Sequence, residues 1–204
     1  MEAVLAGRVL QRARVHWLGK LAGRSRVLIV GEGPGRLLEE LLRRFSSTEV
    51  TVVEQSAKMI AVAARRLEKR GVCLRRVRWV CADVRTWHAE DENKGRLFDA
   101  VLTPFLLDCF ARETLERLVE KLGTVTARDA VWLVADFQVP SRGWQRMRAK
   151  LIHAVMYRFF RVATRLEASR LTEPDEALRR VGFVLEGRTV FNAGLVRSDW
   201  WVRT

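Results

Sequence analysis

The stretch Val27-Leu28-Ile29-Val30-Gly31-Glu32-Gly33-Pro34-Gly35 decides the fold. Its first four residues form a continuous apolar run, which is typical of a strand buried on both faces of a parallel sheet. Leucines then recur at helical spacing at positions 37, 38, 41 and 42, so a helix follows the strand. Glycines between a strand and a helix allow a sharp turn and let a ligand approach the N–H groups at the helix N-terminus. The stretch therefore predicts a crevice for a nucleotide-like ligand.

The same alternation of strand and helix continues on both sides of this stretch, which predicts a parallel sheet covered on both faces. Residues 3–21 predict a first helix, and Ser56 and Gly71 are expected to begin and end a later one. Gly123 is expected to end a helix over 113–122. Strands are predicted at 50–53, 77–82, 98–103 and 130–137. One long helix or two helices are predicted over 141–168, and a short helix over 174–181.

The end of the chain departs from this alternation. Strands are predicted at 183–190 and 195–202, and only four residues separate them. A connection of that length favours an antiparallel hairpin. The predicted fold class is therefore α/β, with a mostly parallel sheet and an antiparallel pair at the C-terminus.

Acidic residues stand at the carboxyl ends of the second and third strands. Glu54 lies 19 residues after Gly35, where a carboxylate can accept hydrogen bonds from ribose hydroxyls. Asp83 closes the third strand, where it is able to accept a hydrogen bond from an adenine amino group. Each acid alone is compatible with a solvated strand end. The glycine turn and two acids at one sheet edge together favour a cofactor site.

Three segments, 27–35, Val53-Glu54-Gln55-Ser56-Ala57-Lys58-Met59 and Cys81-Ala82-Asp83-Val84, resemble the cofactor motifs of class I methyltransferases, which depend on S-adenosylmethionine. Nicotinamide cofactors are disfavoured, because position 36 is Arg where the dinucleotide fingerprint needs Gly. The resemblance covers residues 25–137 well and the hairpin more loosely. It implies a Rossmann-like three-layer sandwich with a mostly parallel, seven-stranded sheet and an antiparallel C-terminal hairpin.

The resemblance also implies the cofactor, S-adenosylmethionine, with S-adenosylhomocysteine as the product. The glycine turn would line the methionine and ribose part, and Glu54 would hold the ribose hydroxyls. Met59 would pack by the adenine, or else form ordinary helix core, and Thr103 would lie near the methionyl group. The implied cofactor-binding residues are Gly31, Glu32, Gly33, Gly35, Glu54, Gln55, Met59, Asp83, Val84 and Thr103.

The methyl acceptor is harder to predict, because an in-line transfer needs a general base only when the acceptor must lose a proton. After the fourth strand, residues 103–108 read Thr-Pro-Phe-Leu-Leu-Asp. They lack the Asn/Asp-Pro-Pro-aromatic signature of methyltransferases that act on base amino groups, so that activity is disfavoured. The candidate catalytic residues are Asp108, Tyr157 and His16, although Asp108 is also compatible with a helix N-terminal cap. His153 and Asp136 are further polar residues that could face the acceptor.

The segment 142–165 has seven basic side chains, no acid and apolar residues three or four apart, the pattern of a basic amphipathic helix. It either packs on the domain as a lid or faces an anionic membrane and admits a lipophilic acceptor. Residues 166–183 loosely resemble the end of ubiquinone and menaquinone C-methyltransferases. We therefore predict methyl transfer to a small hydrophobic or aromatic acceptor. The alternatives are an RNA methyltransferase and a non-catalytic binding protein.

The composition sets further expectations. The formal charge of +13, with 31 arginines among 37 basic residues, fits an anionic partner, either nucleic acid or a membrane surface, or an arginine-rich genome. No run of about 18 apolar residues and no signal-peptide core are present. A cytoplasmic protein is expected, with peripheral membrane contact as an option. Three cysteines without CxxC spacing predict buried free thiols and no metal site.

The length predicts one methyltransferase domain, because 204 residues with 49% hydrophobic content bury a single core. Its expected parts are an N-terminal helix (1–24), a cofactor-binding core (25–140), a lid or acceptor insertion (141–173), and a helix with the C-terminal hairpin (174–204). The oligomeric state is not predicted.

Overall fold

The apolar run at Val27 forms an inner strand of a seven-stranded sheet in a computed structural model. The structure describes residues 2–88, 95–138 and 172–204. The strands are β1 (Arg26–Val30), β2 (Glu49–Glu54), β3 (Val77–Cys81), β4 (Phe98–Pro104), β5 (Thr126–Phe137), β6 (Phe183–Phe191) and β7 (Val196–Arg203). Their order across the sheet is β3-β2-β1-β4-β5-β7-β6. β1 to β5 pair in parallel, and β7 lies antiparallel between β5 and β6. The predicted sheet, including the C-terminal hairpin, is confirmed.

Helices pack on both faces of this sheet. They are α1 (Glu2–Val15), α2 (Arg36–Arg44), α3 (Ala57–Lys69), α4 (Arg112–Thr124) and α5 (Asp175–Arg180), with short 3-10 turns at Leu18–Leu21, Leu74–Arg76 and Leu107–Cys109. The leucines of α2 pack on one face, and those of α4 and α5 pack on the other. The result is the predicted arrangement of three layers.

β1 contributes to both cores, because successive strand residues point to opposite faces. Val27 and Ile29 pack under α2, whereas Leu28 and Val30 belong to the core under α4. All four side chains are at most 1% exposed. Complete burial of an aliphatic side chain contributes about 1.5–3 kcal/mol, so this strand anchors the turn that follows it.

The strand order places the glycine turn at a switch point of the sheet. β1 lies between β2 and β4, so the chain leaves β1 toward one side and later returns to the other. In open α/β sheets, ligands bind in the crevice outside the carboxyl ends of strands at such a point. The carboxyl ends of β1, β2 and β4 therefore frame the candidate site.

Several predicted boundaries change. The first helix ends at Val15 and a separate 3-10 turn covers Leu18–Leu21, so the prediction of one helix over 3–21 was wrong. Gly123 does not end its helix but lies inside α4. A Cβ at Gly123 would lie 3.2 Å from Val181 Cβ, so glycine there lets α4 pack closely on the segment after α5. β5 begins at Thr126, four residues earlier than predicted, because exposed polar residues at 128 and 129 hide the start of the strand.

The described residues do not include 141–168, where a helical segment with a lid function was predicted. His153 and Tyr157 belong to that segment. No helix in the ranges that the structure describes is long and apolar enough to cross a membrane.

Candidate active site

The glycine turn after β1 requires glycine for two different reasons. Gly31, Gly33 and Gly35 all have positive φ angles, of 75°, 63° and 82°, which other residues adopt only with strain. A Cβ at Gly35 would also lie 2.9 Å from Ala63 Cα, whereas a Cβ at Gly33 would meet nothing within 4 Å. Gly35 therefore allows α2 to pack on α3, and Gly33 faces open space where a ligand can approach the backbone.

Glu54, the last residue of β2, is bonded directly to this turn. Its Oε2 accepts a hydrogen bond from Gly33 N at 3.1 Å, and its Oε1 accepts one from Ser56 N at 3.0 Å. The side chain is half-buried. Each carboxylate oxygen has two lone pairs, so both oxygens keep acceptor capacity toward the crevice. The carboxylate is held beside the open space at Gly33, and its contact with ribose hydroxyls stays a prediction.

Glu32 is the buried acid of the turn, at 4% exposure. Its Oε1 accepts hydrogen bonds from Leu37 N at 2.9 Å and Leu38 N at 3.1 Å, in the first turn of α2. Burial raises the pKa of Glu32 to about 7, although these N–H groups and the nearby Arg14 guanidinium favour the charged form. Its Oε2 has no hydrogen-bond partner in the described part of the chain. Glu32 therefore caps α2, a role that the sequence analysis missed.

Asp83 closes the row of acids at the end of β3. Both oxygens of its carboxylate share the hydrogen of Arg85 Nε, at 3.0 and 2.9 Å, and Oδ1 also accepts a hydrogen bond from Arg85 N at 2.9 Å. The hydrogen bonds from Arg85 hold the pKa of Asp83 below its usual range. Val84 beside it is buried in the core. The structure thus pairs Asp83 with a cation, and its contact with an adenine edge stays a prediction.

The other predicted cofactor residues lie at different depths. Ser56 Oγ accepts a hydrogen bond from Met59 N at 3.3 Å, which confirms Ser56 as the N-cap of α3. Met59 is half-buried and Gln55 is exposed beside Glu54. Thr103 is fully buried, and its Oγ1 accepts a hydrogen bond from Trp132 Nε1 at 3.1 Å. The hydroxyl of Thr103 is therefore engaged inside the sheet.

The loop after β4 has an unusual backbone. Phe105 has a φ of 56°, which is rare for a bulky residue and marks functional sites more often than ordinary loops. Phe105 N donates to Ala135 O, and Leu106 N donates to Asp136 Oδ1 at 3.2 Å. A Cβ at Gly31 would lie 3.0 Å from Leu106 Cδ1. The loop therefore packs directly against the glycine turn.

Two buried aspartates support this loop. Asp108 Oδ2 accepts a hydrogen bond from Phe137 N at 3.4 Å, and Asp136 supports Leu106. Burial raises the pKa of Asp108 to about 6 and raises that of Asp136 well above its usual range, with repulsion between the two carboxylates adding to the effect on Asp136. Asp136 Oδ2 has no hydrogen-bond partner among the described residues. Both carboxyl groups therefore bind a proton more tightly than an exposed aspartate does.

A buried ionic network adjoins these aspartates, and the sequence analysis did not identify it. Arg197 is 1% exposed and contacts Asp175 Oδ1 at 2.9 Å and Asp199 Oδ2 at 3.6 Å. Arg188 bonds both oxygens of Asp199, at 2.7 and 2.8 Å. Arg197 lies opposite Asp136 in the β5–β7 register. The network ties both strands of the hairpin, β6 and β7, to α5.

An apolar cluster lies at the carboxyl ends of β4 and β5. The Phe105 and Phe137 rings are 5.0 Å apart, and the Arg14 guanidinium lies 4.7 Å from the centre of the Phe105 ring. Both rings are half-buried. The cluster consists of Leu10, Ala13, Phe105, Phe137, Phe191, Leu195 and Val196. Phe105 and Phe137 form the aromatic wall of this cluster, next to the loop that packs on the glycine turn.

Two of the three predicted catalytic residues, His16 and Asp108, lie in the described part of the chain. His16 is exposed, lies 2.9 Å from Thr189 Oγ1 through Nε2, and contacts the rings of Trp17 and Phe191. Asp108 is buried under the loop after β4. Tyr157 lies outside the described residues.

The three cysteines differ in their exposure to solvent. Cys73 and Cys81 are exposed and Cys109 is half-buried, so the prediction of buried thiols was wrong. Cys73 precedes a short turn, and Cys81 ends the edge strand β3, whose residues alternate between core and surface. No group of three or more metal-ligating residues occurs within 2–88, 95–138 and 172–204.

The part of the chain from β1 into β5 is similar to a known protein family. Residues 27–129 match the family model described as a methyltransferase domain. The chain is 31% identical over 140 residues to a malonyl-[acyl-carrier protein] O-methyltransferase from Halorhodospira halophila (strain DSM 244 / SL1). The match covers 67% of this chain, which spans 42% of that relative's length.

Solved structures share the fold at low identity. An O-methyltransferase family 2 protein from Planctomyces limnophilus DSM 3776, in complex with apigenin, superposes with a TM-score of 0.73 at 15% identity, over 99% of this chain and 60% of the other. The 1,6-didemethyltoxoflavin-N1-methyltransferase of Burkholderia thailandensis, with its acceptor and S-adenosylhomocysteine bound, gives 0.67 at 19% identity, over 100% of this chain and 82% of the other. With the glycine turn and the acid at the end of β2, these matches show that the chain belongs to the methyltransferase-domain family, with the fold of its class I, S-adenosylmethionine-dependent members.

Proposed function

We propose that the protein transfers a methyl group from S-adenosylmethionine to a small hydrophobic or aromatic acceptor. When bound, the cofactor supplies a methyl group on a sulfonium centre. The observation that carries the proposal is the position of Glu54, whose carboxylate is held by Gly33 N and Ser56 N beside the open space at Gly33. A carboxylate fixed by two backbone N–H groups is prepared to accept hydrogen bonds from the two ribose hydroxyls. The residues present therefore fit this cofactor.

The aromatic wall supports the acceptor class. Phe105 and Phe137 are half-buried and stand at the strand ends next to the cofactor crevice. Pockets for small molecules are lined mainly by apolar and aromatic side chains with a few polar groups. The neighbouring structures that contain apigenin and 1,6-didemethyltoxoflavin have planar aromatic ligands. A planar, largely apolar acceptor packed on Phe105 and Phe137 would reach the crevice with water excluded.

Asp108 and Asp136 act in this proposal as positioning residues. Their carboxyl groups accept from Phe137 N and Leu106 N, so they hold the two segments that carry the aromatic rings. Correct alignment of the nucleophile with the methyl group supplies much of the rate of an in-line transfer. Asp136 is 1% exposed, which favours support of the loop over direct contact with solvent-borne acceptors.

Within the part of the chain that the structure describes, the distribution of charge gives the RNA alternative less support. An RNA substrate favours a basic track that leads to the crevice. A groove lined by five arginines instead lies at the opposite edge of the sheet. Peripheral contact of segment 142–165 with an anionic membrane is a further part of the proposal. Co-sedimentation with anionic vesicles tests this contact.

The experiment is a methyl-transfer screen with isotope-labelled S-adenosylmethionine and extracts of small molecules, lipids and RNA from one cell type. We expect label in small organic-soluble products, loss of labelling with Glu54→Ala, and reduced labelling with Phe137→Ala at unchanged cofactor affinity. Label confined to RNA would overturn the acceptor class. Tight cofactor binding without transfer to any extract would favour the non-catalytic binding protein.

A further inference from the structure

We propose that an arginine-lined groove at the amino-terminal edge of the sheet binds small ligands that carry two or more phosphate groups. The groove has a volume of about 370 Å³, and its described lining includes Arg26, Arg75, Arg76, Arg78 and Arg96. It lies where β1 to β4 begin, at the opposite end of the strands from the glycine turn. A six-residue strand such as β2 spans roughly 20 Å, so the groove is separate from the cofactor crevice.

The parallel sheet gathers these arginines from distant parts of the sequence. Arg26 is the first residue of β1, Arg78 is the second residue of β3, and Arg75 and Arg76 belong to the 3-10 turn before β3. Arg96 precedes β4. Because the amino ends of parallel strands meet at one edge, five guanidinium groups converge there.

The charge of the groove is concentrated beyond the average composition. Five of its ten described lining residues are arginine, and Glu49 is the acid among those ten. Arginine makes up 31 of 204 residues in the whole chain, which is less than a sixth. Clefts lined by one sign of charge focus the electrostatic potential and attract ligands of opposite charge.

Two of the arginines are held in place by the fold. Arg76 Nη1 donates to Phe45 O at 2.7 Å and Thr48 O at 3.1 Å, and its Nη2 donates to Leu42 O at 3.2 Å. Arg26 Nη1 donates to Leu97 O at 3.0 Å. Partial burial and repulsion from Arg96 lower the pKa of Arg26, so like charges oppose one another here. A polyanion between them would relieve this repulsion.

The remaining arginines are suited to contact a ligand. Arg75, Arg78 and Arg96 are exposed, and the planar guanidinium group binds phosphate oxygens in a bidentate manner. Val50, Val77 and Phe98 add apolar surface to the groove. The volume falls within the range of about 300–1,000 Å³ seen for small-molecule pockets. Several phosphates on a compact organic group, as in a nucleoside di- or triphosphate, match this combination.

The test is calorimetric titration of the full chain with inorganic pyrophosphate and with ATP, at low and at physiological salt. The variant Arg75→Gln/Arg96→Gln removes two exposed cations of the groove. The matched control, Arg65→Gln/Arg117→Gln, removes two cations from the exposed surfaces of α3 and α4. We expect the wild type and the control to have the same affinity for each ligand. The groove variant should bind both ligands about tenfold or more weakly, because it loses two charge-assisted contacts to phosphate oxygens.

Affinity for S-adenosylhomocysteine should be the same in all three proteins, and saturation with it should leave pyrophosphate binding unchanged. Thermal unfolding of each variant serves as the check that it is folded. Equal binding by the groove variant, displacement of pyrophosphate by S-adenosylhomocysteine, or absence of binding by both phosphate ligands would overturn the proposal. The proposal would also be overturned if the protein bound only RNA or anionic vesicles, and not the two phosphate ligands, in a manner that depends on Arg75 and Arg96. The groove would then be a surface for a macromolecule.

Discussion

Replacement of Glu32 by glutamine should change how stability depends on pH. Glutamine keeps an oxygen that accepts from Leu37 N and Leu38 N, but it removes the ionisable group. Burial raises the pKa of Glu32 from its ordinary value of 4.5 to about 7. The folded protein therefore keeps a proton at pH values where the unfolded chain has already lost it.

The sign and size of the effect follow from this difference in proton binding. A group whose pKa is higher in the folded state makes the protein less stable as pH rises, and here the loss accumulates between pH 4.5 and about 7. Each tenfold change in proton affinity is worth about 1.36 kcal/mol, so the wild type should lose about 3 kcal/mol across this interval through Glu32. The variant lacks this loss. Its stability relative to wild type should rise by about 2.5 kcal/mol from pH 5 to pH 8.

Urea unfolding at a series of pH values measures this difference. Asp108 and Asp136 also titrate with raised pKa values, but they are present in both proteins and cancel in the comparison. Glu68→Gln, on the exposed surface of α3, is the control and should show no such trend. A difference between Glu32→Gln and wild type that does not vary with pH would refute the reasoning. It would mean that Arg14 and the N-terminus of α2 fully offset the cost of burying the charge.

Three further changes test other parts of the structure. Asp199→Asn removes the negative charge of a fully buried partner of Arg188 and Arg197 and should lower the free energy of unfolding by about 3–5 kcal/mol. A loss below about 1 kcal/mol in urea unfolding would show that the ion pairs of the network do not stabilise the fold. Gly35→Ala should lower the melting temperature more than Gly33→Ala. Both substitutions place alanine at an unfavourable positive φ, but only the Cβ at position 35 would also clash with Ala63. The reverse order of melting temperatures in calorimetry would count against this packing. In the native protein, Cys73 and Cys81 should react with a thiol reagent, whereas half-buried Cys109, whose pKa burial raises, should react only after unfolding; equal labelling of all three by mass spectrometry would contradict this.

The strands and the cofactor edge were predictable because they rest on local patterns. The apolar run at 27–30, the glycines after it and Glu54 at the end of β2 are each visible in a few consecutive residues. Parallel pairing then brings them to the same edge. The single helix expected over 3–21 failed because the chain turns at His16 and Trp17, where the indole donates to Ser198 O of β7. That contact lies 181 residues away in the sequence.

The supports of the site could not be predicted from local patterns. Asp136 and Arg197 meet only through the antiparallel register of β5 and β7, and their burial depends on α5 and the loop after β4. Glu32 looks like a ligand-binding residue of a glycine-rich turn, yet its carboxyl points back to the N–H groups of α2. Cys81 has the sequence context of a buried strand, but β3 is the edge strand of the sheet, so its thiol is exposed. In each case the deciding information is a neighbour distant in sequence.

The most direct test of the central claim is calorimetric titration of S-adenosylhomocysteine into the wild type and Glu54→Ala, with NAD as the competing ligand. If Glu54 holds the ribose hydroxyls, S-adenosylhomocysteine should bind the wild type, and the variant should lose about 1–3 kcal/mol of binding free energy through the missing charge-assisted hydrogen bonds. Phe137 ends β5, and two strands, β1 and β4, separate β5 from the strand that Glu54 ends, so Phe137→Ala should bind the ligand as the wild type does. Equal affinity of wild type and Glu54→Ala, or tighter binding of NAD than of S-adenosylhomocysteine, would contradict the account.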